Sequence, residues 1–189
     1  MPLDHAILGF IQFQPMSGYD LKKYFDESVA HFWSATQSHI YKSLEHLQEK
    51  GWVEIELVPQ SGRPDRNVYS ITPAGAEELR RWLVTPLPLE RVREAWLIQI
   101  FFAHFQSNDE IVSLLEARMD AMRARLEVYR TEAQAAIDKN AAQIGVERAR
   151  QLWQMTLDYG IAHYEAQLAW LEQTLARVRN LPSLTPPKP

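Results

Sequence analysis

Gln37, Ser38, Tyr41, Lys42 and Glu45 recur at helical spacing, so on a helix they share one face, opposite Ile40, Leu44 and Leu47. Amide and hydroxyl groups near the start of such a helix match the donor and acceptor pattern of base edges, and a lysine further along suits a phosphate. Two more cations, Arg63 and Arg66, lie in the connector 59–66, where a protruding loop reaching toward phosphate would need them. A merely solvated helix face carries the same residue types, so the elements that position these side chains must decide. Other chemistries find no support. The sequence has no glycine-rich phosphate loop, no His-Glu-x-x-His helix and no nucleophile elbow. His39 and His46 stand two helical turns apart with no third ligand in view. The expectation is therefore no enzyme, no metal and no cofactor.

The positioning elements follow from periodicity and capping. Leu3, Ile7, Phe10 and Ile11 share one face of a first helix that must end by Pro15. Ser17 with Asp20 opens a second helix burying Leu21, Tyr24 and Phe25. Ser34 with Gln37 has the same spacing and is expected to cap the third helix, which ends at Gly51. The period then falls to two: Val53, Ile55 and Leu57 alternate with Glu54 and Glu56, and residues 67–72 form a second strand. Thr72 with Pro73 starts a fourth helix expected to bury Ala76, Leu79, Trp82 and Leu83. Three helices, a hairpin and a helix make the winged helix-turn-helix layout, whose third helix enters a major groove while the wing touches backbone.

The chain has 189 residues, no cysteine and a net charge of -4, which excludes a disulfide framework and a thiol nucleophile and makes a reducing, cytoplasmic setting the expectation. The N-terminal residues lack the basic stretch and apolar run of a signal peptide, and no membrane span is expected. Bulk charge disfavours nucleic acid, so double-stranded DNA as partner rests on local cation placement. A boundary near Pro86 divides a winged helix-turn-helix (1–86) from an α-helical region (87–181), with a proline-rich tail (182–189) expected to be disordered. The fold class is thus mainly α with a small β-hairpin wing.

Beyond the boundary, Ser107 with Glu110 caps a long helix. The last helix carries Leu157, Ile161, Tyr164, Leu168, Leu171, Leu175 and Val178 as a heptad seam, with a second stripe of Leu152, Thr156, Tyr159, His163, Ala166 and Trp170 beside it. Two apolar faces need two partners; a two-fold homodimer through the seam is the expectation, with one intrachain bundle as the alternative. Trp96, Trp153, Tyr159 and Trp170 are candidates to line a cavity for a small aromatic effector, although such residues are more often core.

The string 38–53, with Tyr41 on the helix, leucines ending at Gly51, then Gly62-Arg63-Pro64 and Tyr69-Ser70-Ile71-Thr72-Pro73-Ala74-Gly75, resembles the PadR family of repressors. Ala6-Ile7-Leu8-Gly9 and Ser17-Gly18-Tyr19-Asp20-Leu21 fit the same family, so the resemblance spans the whole first domain. It implies a DNA-binding transcriptional repressor whose C-terminal helices form the dimer and host an effector. Glu45, Glu54 and Glu56 make the domain more acidic than a DNA binder prefers. The rival is a winged-helix protein-interaction module without DNA binding.

Overall fold

A computed structural model describes residues 2–29, 32–59, 65–89 and 93–182. Its contacts divide the chain into two compact units, one of Met1–Pro88 with Ala136–Arg150, the other of Leu89–Ala135 with Gln151–Pro189.

The first unit contains α1 (Pro2–Ile11), β1 (Met16–Ser17), α2 (Gly18–Glu27), α3 (Gln37–Glu49), β2 (Val53–Val58), β3 (Arg66–Ile71) and α4 (Pro73–Leu83). Ser17 caps α2 through a complete capping box with Asp20, as its spacing required. The cap of α3 differs: Thr36, not Ser34, accepts from the His39 backbone N–H at 3.3 Å. Ala35 is drawn into the core, so the chain between Ser34 and Gln37 cannot begin the helix earlier and the adjacent hydroxyl takes the role. Gly51, at φ 67°, ends the turn after α3 in the left-handed region. The sheet has the antiparallel order β1-β3-β2, with Met16 opposite Tyr69 and Val53 opposite Ile71. Strand β1 is new to the structure, since two residues are too short to show a period of two. Ile7, Leu8, Leu21, Ile40, Leu44 and Leu47 are completely buried at the centre. Leu83, expected inside, is exposed at the last turn of α4.

Helix α4 is fastened to the end of α3 by backbone chemistry. Thr72 caps α4 by accepting from Gly75 N–H at 3.1 Å, while its own hydroxyl donates to Gly51 O at 2.8 Å and its N–H to Trp52 O at 3.0 Å. A Cβ on Gly75 would stand 2.1 Å from that same Trp52 oxygen, so the glycine of the Tyr-x-x-Thr-x-x-Gly stretch is a close-approach residue. On α1, Asp4 and His5 are buried and tie the helix to its neighbours: His46 Nδ1 of α3 lies 3.1 Å from Asp4 Oδ2, and His5 Nε2 lies 2.9 Å from Glu78 Oε1 of α4. The His5 ring also stacks on Trp82 at 4.5 Å. Hydrogen bonds from His5 and from Arg81, whose Nε donates to Glu78 Oε2 at 3.0 Å, hold the Glu78 carboxyl below its ordinary range.

The C-terminal stretch contains α5 (Ala95–Phe101), α6 (Asn108–Val128), α7 (Gln134–Ile144) and α8 (Glu147–Val178), with a 3-10 turn over Ala103–Phe105 and a π turn over Tyr129–Ala133 between α6 and α7. Ser107 caps α6 with Glu110 as its spacing required. The end of α7 packs in the first unit, where Asn140, itself buried, donates to Glu27 O at 3.4 Å and satisfies a carbonyl at the end of α2.

The heptad seam of α8 turns inward. Leu171, Leu175 and Val178 pack with Ile111, Leu115, Met119 and Met122 of α6, with Tyr164 and Leu168 against them. Leu157 is completely buried and Ile161 half-buried. Of the seam expected to form the dimer, Leu157, Ile161, Tyr164, Leu168, Leu171, Leu175 and Val178, the last five pack with α6 of the same chain; a covalently tethered helix reaches an apolar stripe at a far higher effective concentration than a second chain. The neighbouring stripe remains open, with Leu152, Tyr159 and Trp170 exposed, and so does most of α5 with the turn after it, including Ile98, Phe101, Phe102 and Phe105.

Candidate nucleic-acid interface

Helix α3 presents Gln37, Ser38, Tyr41, Lys42 and Glu45 to solvent while Ile40, Leu44 and Leu47 are completely buried. The amphipathic register that fills the core is what leaves the polar row outward. Thr36 fixes the start of that row and Gly51 its end.

Beside the row, β3 begins with Arg66, whose Nη1 donates to Asp20 Oδ2 at 3.4 Å. The same Asp20 oxygen accepts from Ser17 N–H at 3.1 Å and from Ser17 Oγ at 2.8 Å. Asp20 therefore caps α2 and steadies Arg66 at once, which the spacing of Ser17 and Asp20 alone did not reveal. The pair is nearly half exposed, so a phosphate can compete for the guanidinium at small cost. Arg63 lies outside the described residues, as do the remaining connector positions 60–64 and the tail from 183.

Under the row, Tyr69 of β3 is buried. Burial pushes its hydroxyl up from the ordinary range, Tyr41 and Glu45 add to this, and a hydrogen bond with Asn67 opposes it. The phenol stays neutral and protonated. The Tyr41 ring lies against the first residue of α2, so close that a Cβ on Gly18 would be 2.6 Å from Cε1 and 2.8 Å from Cζ. Glu45, Glu54 and Glu56 are exposed, so the acidic positions stand on the surface with the polar row.

The four aromatic candidates of the C-terminal region do not form one group. Trp96 and Trp170 meet edge to face at 5.6 Å, and the Arg118 guanidinium lies 4.0 Å over the Trp96 ring. Glu94 Oε2 accepts from the Trp96 indole at 2.6 Å and from Arg118 at 3.3 Å. Trp153 stands on the same helix as Trp170, and at about 1.5 Å of rise per residue the two are separated by roughly 25 Å, beyond the reach of one small planar ligand. Tyr159 is exposed and stacks with His163 at 6.2 Å.

Two family models match the chain: the PadR-like transcriptional regulator family over residues 7–81 and the virulence activator α C-terminal family over residues 92–179. The chain belongs to the PadR family of transcriptional regulators. A probable transcriptional regulator of Mycobacterium tuberculosis is 45% identical over 87 residues, covering 46% of this chain and 46% of that relative, about half its length. The negative transcriptional regulator PadR of Bacillus subtilis is 27% identical over 180 residues, covering 93% of this chain and 97% of its own. The crystal structure of that Bacillus PadR in complex with operator DNA superposes with a TM-score of 0.80 at 27% identity, covering 94% of this chain and 99% of the other. The same Bacillus protein in complex with p-coumaric acid superposes with a TM-score of 0.74 at 24% identity over 95% of this chain and 100% of the other. The winged-helix fold with a helical C-terminal region is thus shared along nearly the whole PadR-family chain. Among its described residues, no helix is long and apolar enough to cross a membrane.

Proposed function

We propose that this chain is a cytoplasmic repressor, not an enzyme, that binds operator DNA as a homodimer and is released by a small planar aromatic acid. The observation that carries it is the exposed row of α3, with Gln37, Ser38, Tyr41 and Lys42 beside Arg66. The likeness to a relative solved on operator DNA supports the reading. DNA is read by residues 1–86, with Gln37, Ser38 and Tyr41 on base edges in the major groove and Lys42, Arg66 and the wing Arg63 on phosphates. Residues 87–181 supply the dimer and the effector site. The dimer surface is the open stripe of α8 with the exposed apolar side chains of α5, not the filled seam; such a surface is costly to leave in water. Trp96 and Trp170 offer ring faces beside the Arg118 cation, which suits a planar carboxylate. A ligand there shifts DNA affinity only by its differential affinity for two arrangements of the dimer, typically about 1–3 kcal/mol.

Fluorescence anisotropy on duplexes selected from genomic fragments tests the reading. Lys42→Ala and Arg66→Ala should each weaken binding to every sequence and flatten the log-log salt dependence by roughly 0.9 per lost contact. A chain that selects no duplex at low salt would refute DNA reading and leave a protein-interaction module in its place.

A further inference from the structure

The contact between Gly18 and Tyr41 links the two helices of the helix-turn-helix through a side chain, and it lies on the surface assigned above to DNA. We propose that Gly18 is a positioning residue for Tyr41: its missing Cβ is the seat in which the phenol ring lies, and this seat sets where the Tyr41 hydroxyl meets a base edge. The inference rests on the reading that α3 binds DNA.

Gly18 is the first residue of α2, directly after the Ser17 cap, and it is buried. A Cβ there would meet Tyr41 Cε1 at 2.6 Å, Cζ at 2.8 Å and the hydroxyl oxygen at 3.1 Å. These are the three atoms at the working end of the ring. The space beside Gly18 is therefore already taken by the part of Tyr41 that would touch a base.

What has to move on adding a methyl decides the consequence. The obstructing atoms are the far end of a side chain that is 40% exposed and free to swing outward about χ1. The backbone at Gly18 is not in the left-handed region, since among the described glycines only Gly51 and Gly145 have positive φ, and alanine is the better helix former. Gly18→Ala should therefore leave the fold intact and displace the Tyr41 ring. Gly75 is the opposite case, because the atom its Cβ would strike is a backbone oxygen. One glycine guards the fold and the other guards the aim of a reading residue.

Tyr41 and the Glu45 carboxylate of α3 both act electrostatically on Tyr69, which is buried on β3. A ring pushed off Gly18 turns toward solvent, where its hydroxyl loses a fixed position. A correctly placed contact to a base contributes about 1–3 kcal/mol of discrimination, and loss of its placement forfeits most of that.

The test is a double-mutant cycle on the full chain, with Gly18→Ala, Tyr41→Ala and the double variant. Anisotropy is read on a duplex selected from genomic fragments and on an unrelated duplex at the same salt. Tyr41→Ala should weaken the selected duplex about tenfold to a hundredfold, the range given by about 1.4 kcal/mol per tenfold, and leave the unrelated duplex unchanged. Gly18→Ala should do the same with an unchanged or raised melting temperature, and the double variant should be no worse than Tyr41→Ala alone. Gly18→Ala binding the selected duplex like the parent, while Tyr41→Ala loses it, would overturn the positioning role and leave the DNA reading standing. Fully additive losses would overturn it as well, because Gly18 would then act through another group. Tyr41→Ala binding the selected duplex like the parent would sink the assignment of Tyr41 to DNA and this inference with it.

Discussion

Gly75→Ala is the sharpest test of how α4 is fastened to the recognition helix. In an ordinary helix the change stabilises by about 0.5–1 kcal/mol. Here the new Cβ would stand 2.1 Å from Trp52 O and 3.0 Å from Trp52 C, with Ile71 Cγ1 at 3.1 Å. Relieving that overlap takes a backbone shift on the order of 1 Å, given that carbon atoms pack at about 3.5–4.0 Å. The oxygen cannot retreat freely, because Thr72 N–H donates to it at 3.0 Å and Trp52 N–H is held by Leu47 O at 3.0 Å. Overpacking of this kind costs about 1–3 kcal/mol, and loss of the Thr72 hydrogen bond adds about 1 kcal/mol. After the helix gain is subtracted, the net loss is about 1–3.5 kcal/mol, which lowers a melting temperature by about 2–14 °C in a chain of this size. Differential scanning calorimetry of the purified protein reads it. Gly9→Ala is the control: it lies inside α1 with nothing within 4 Å of the added atom, so the same substitution should raise the transition. A Gly75→Ala protein that melts at or above the parent would refute the claim that close approach explains the glycine.

The inward seam makes a second prediction: Leu171→Ala, at a completely buried position, should cost about 2–5 kcal/mol of stability, whereas Phe101→Glu should leave stability unchanged and give monomers in sedimentation. Monomers from neither, or a stable Leu171→Ala, would send the partner back to the seam. A third concerns acid. Because Glu78 has a folded-state pKa below its ordinary value, its contribution is complete above the unfolded value and is lost as pH falls through the folded one. Glu78→Gln should therefore narrow the gap in urea midpoint between about pH 7 and about pH 4, and an unchanged gap would show that other carboxylates govern the acid limb.

Much of this molecule could be read from local pattern. Ser17 with Asp20, Thr72 with Pro73 and Ser107 with Glu110 each fix a helix start, because a cap needs only its own side chain and N–H groups within three residues. The alternation of Ile40, Leu44 and Leu47 against Gln37, Tyr41 and Lys42 likewise determined which face of α3 meets water.

Tertiary structure decided what depends on which neighbour arrives. The heptad seam of α8 specifies an apolar stripe and not the molecule that covers it; in this chain its stretch from Tyr164 to Val178 packs with α6, because the intrachain search costs less entropy than association. Thr36 displaced Ser34 as cap only because Ala35 is drawn into the core. Strand β1 exists because β3 offers Tyr69 and Val68 as partners for Met16 and Ser17, a pairing across more than fifty residues. Gly18 and Gly75 read alike in the sequence as helix-start glycines. Only the packed structure places the end of an exposed side chain against one and a backbone carbonyl against the other.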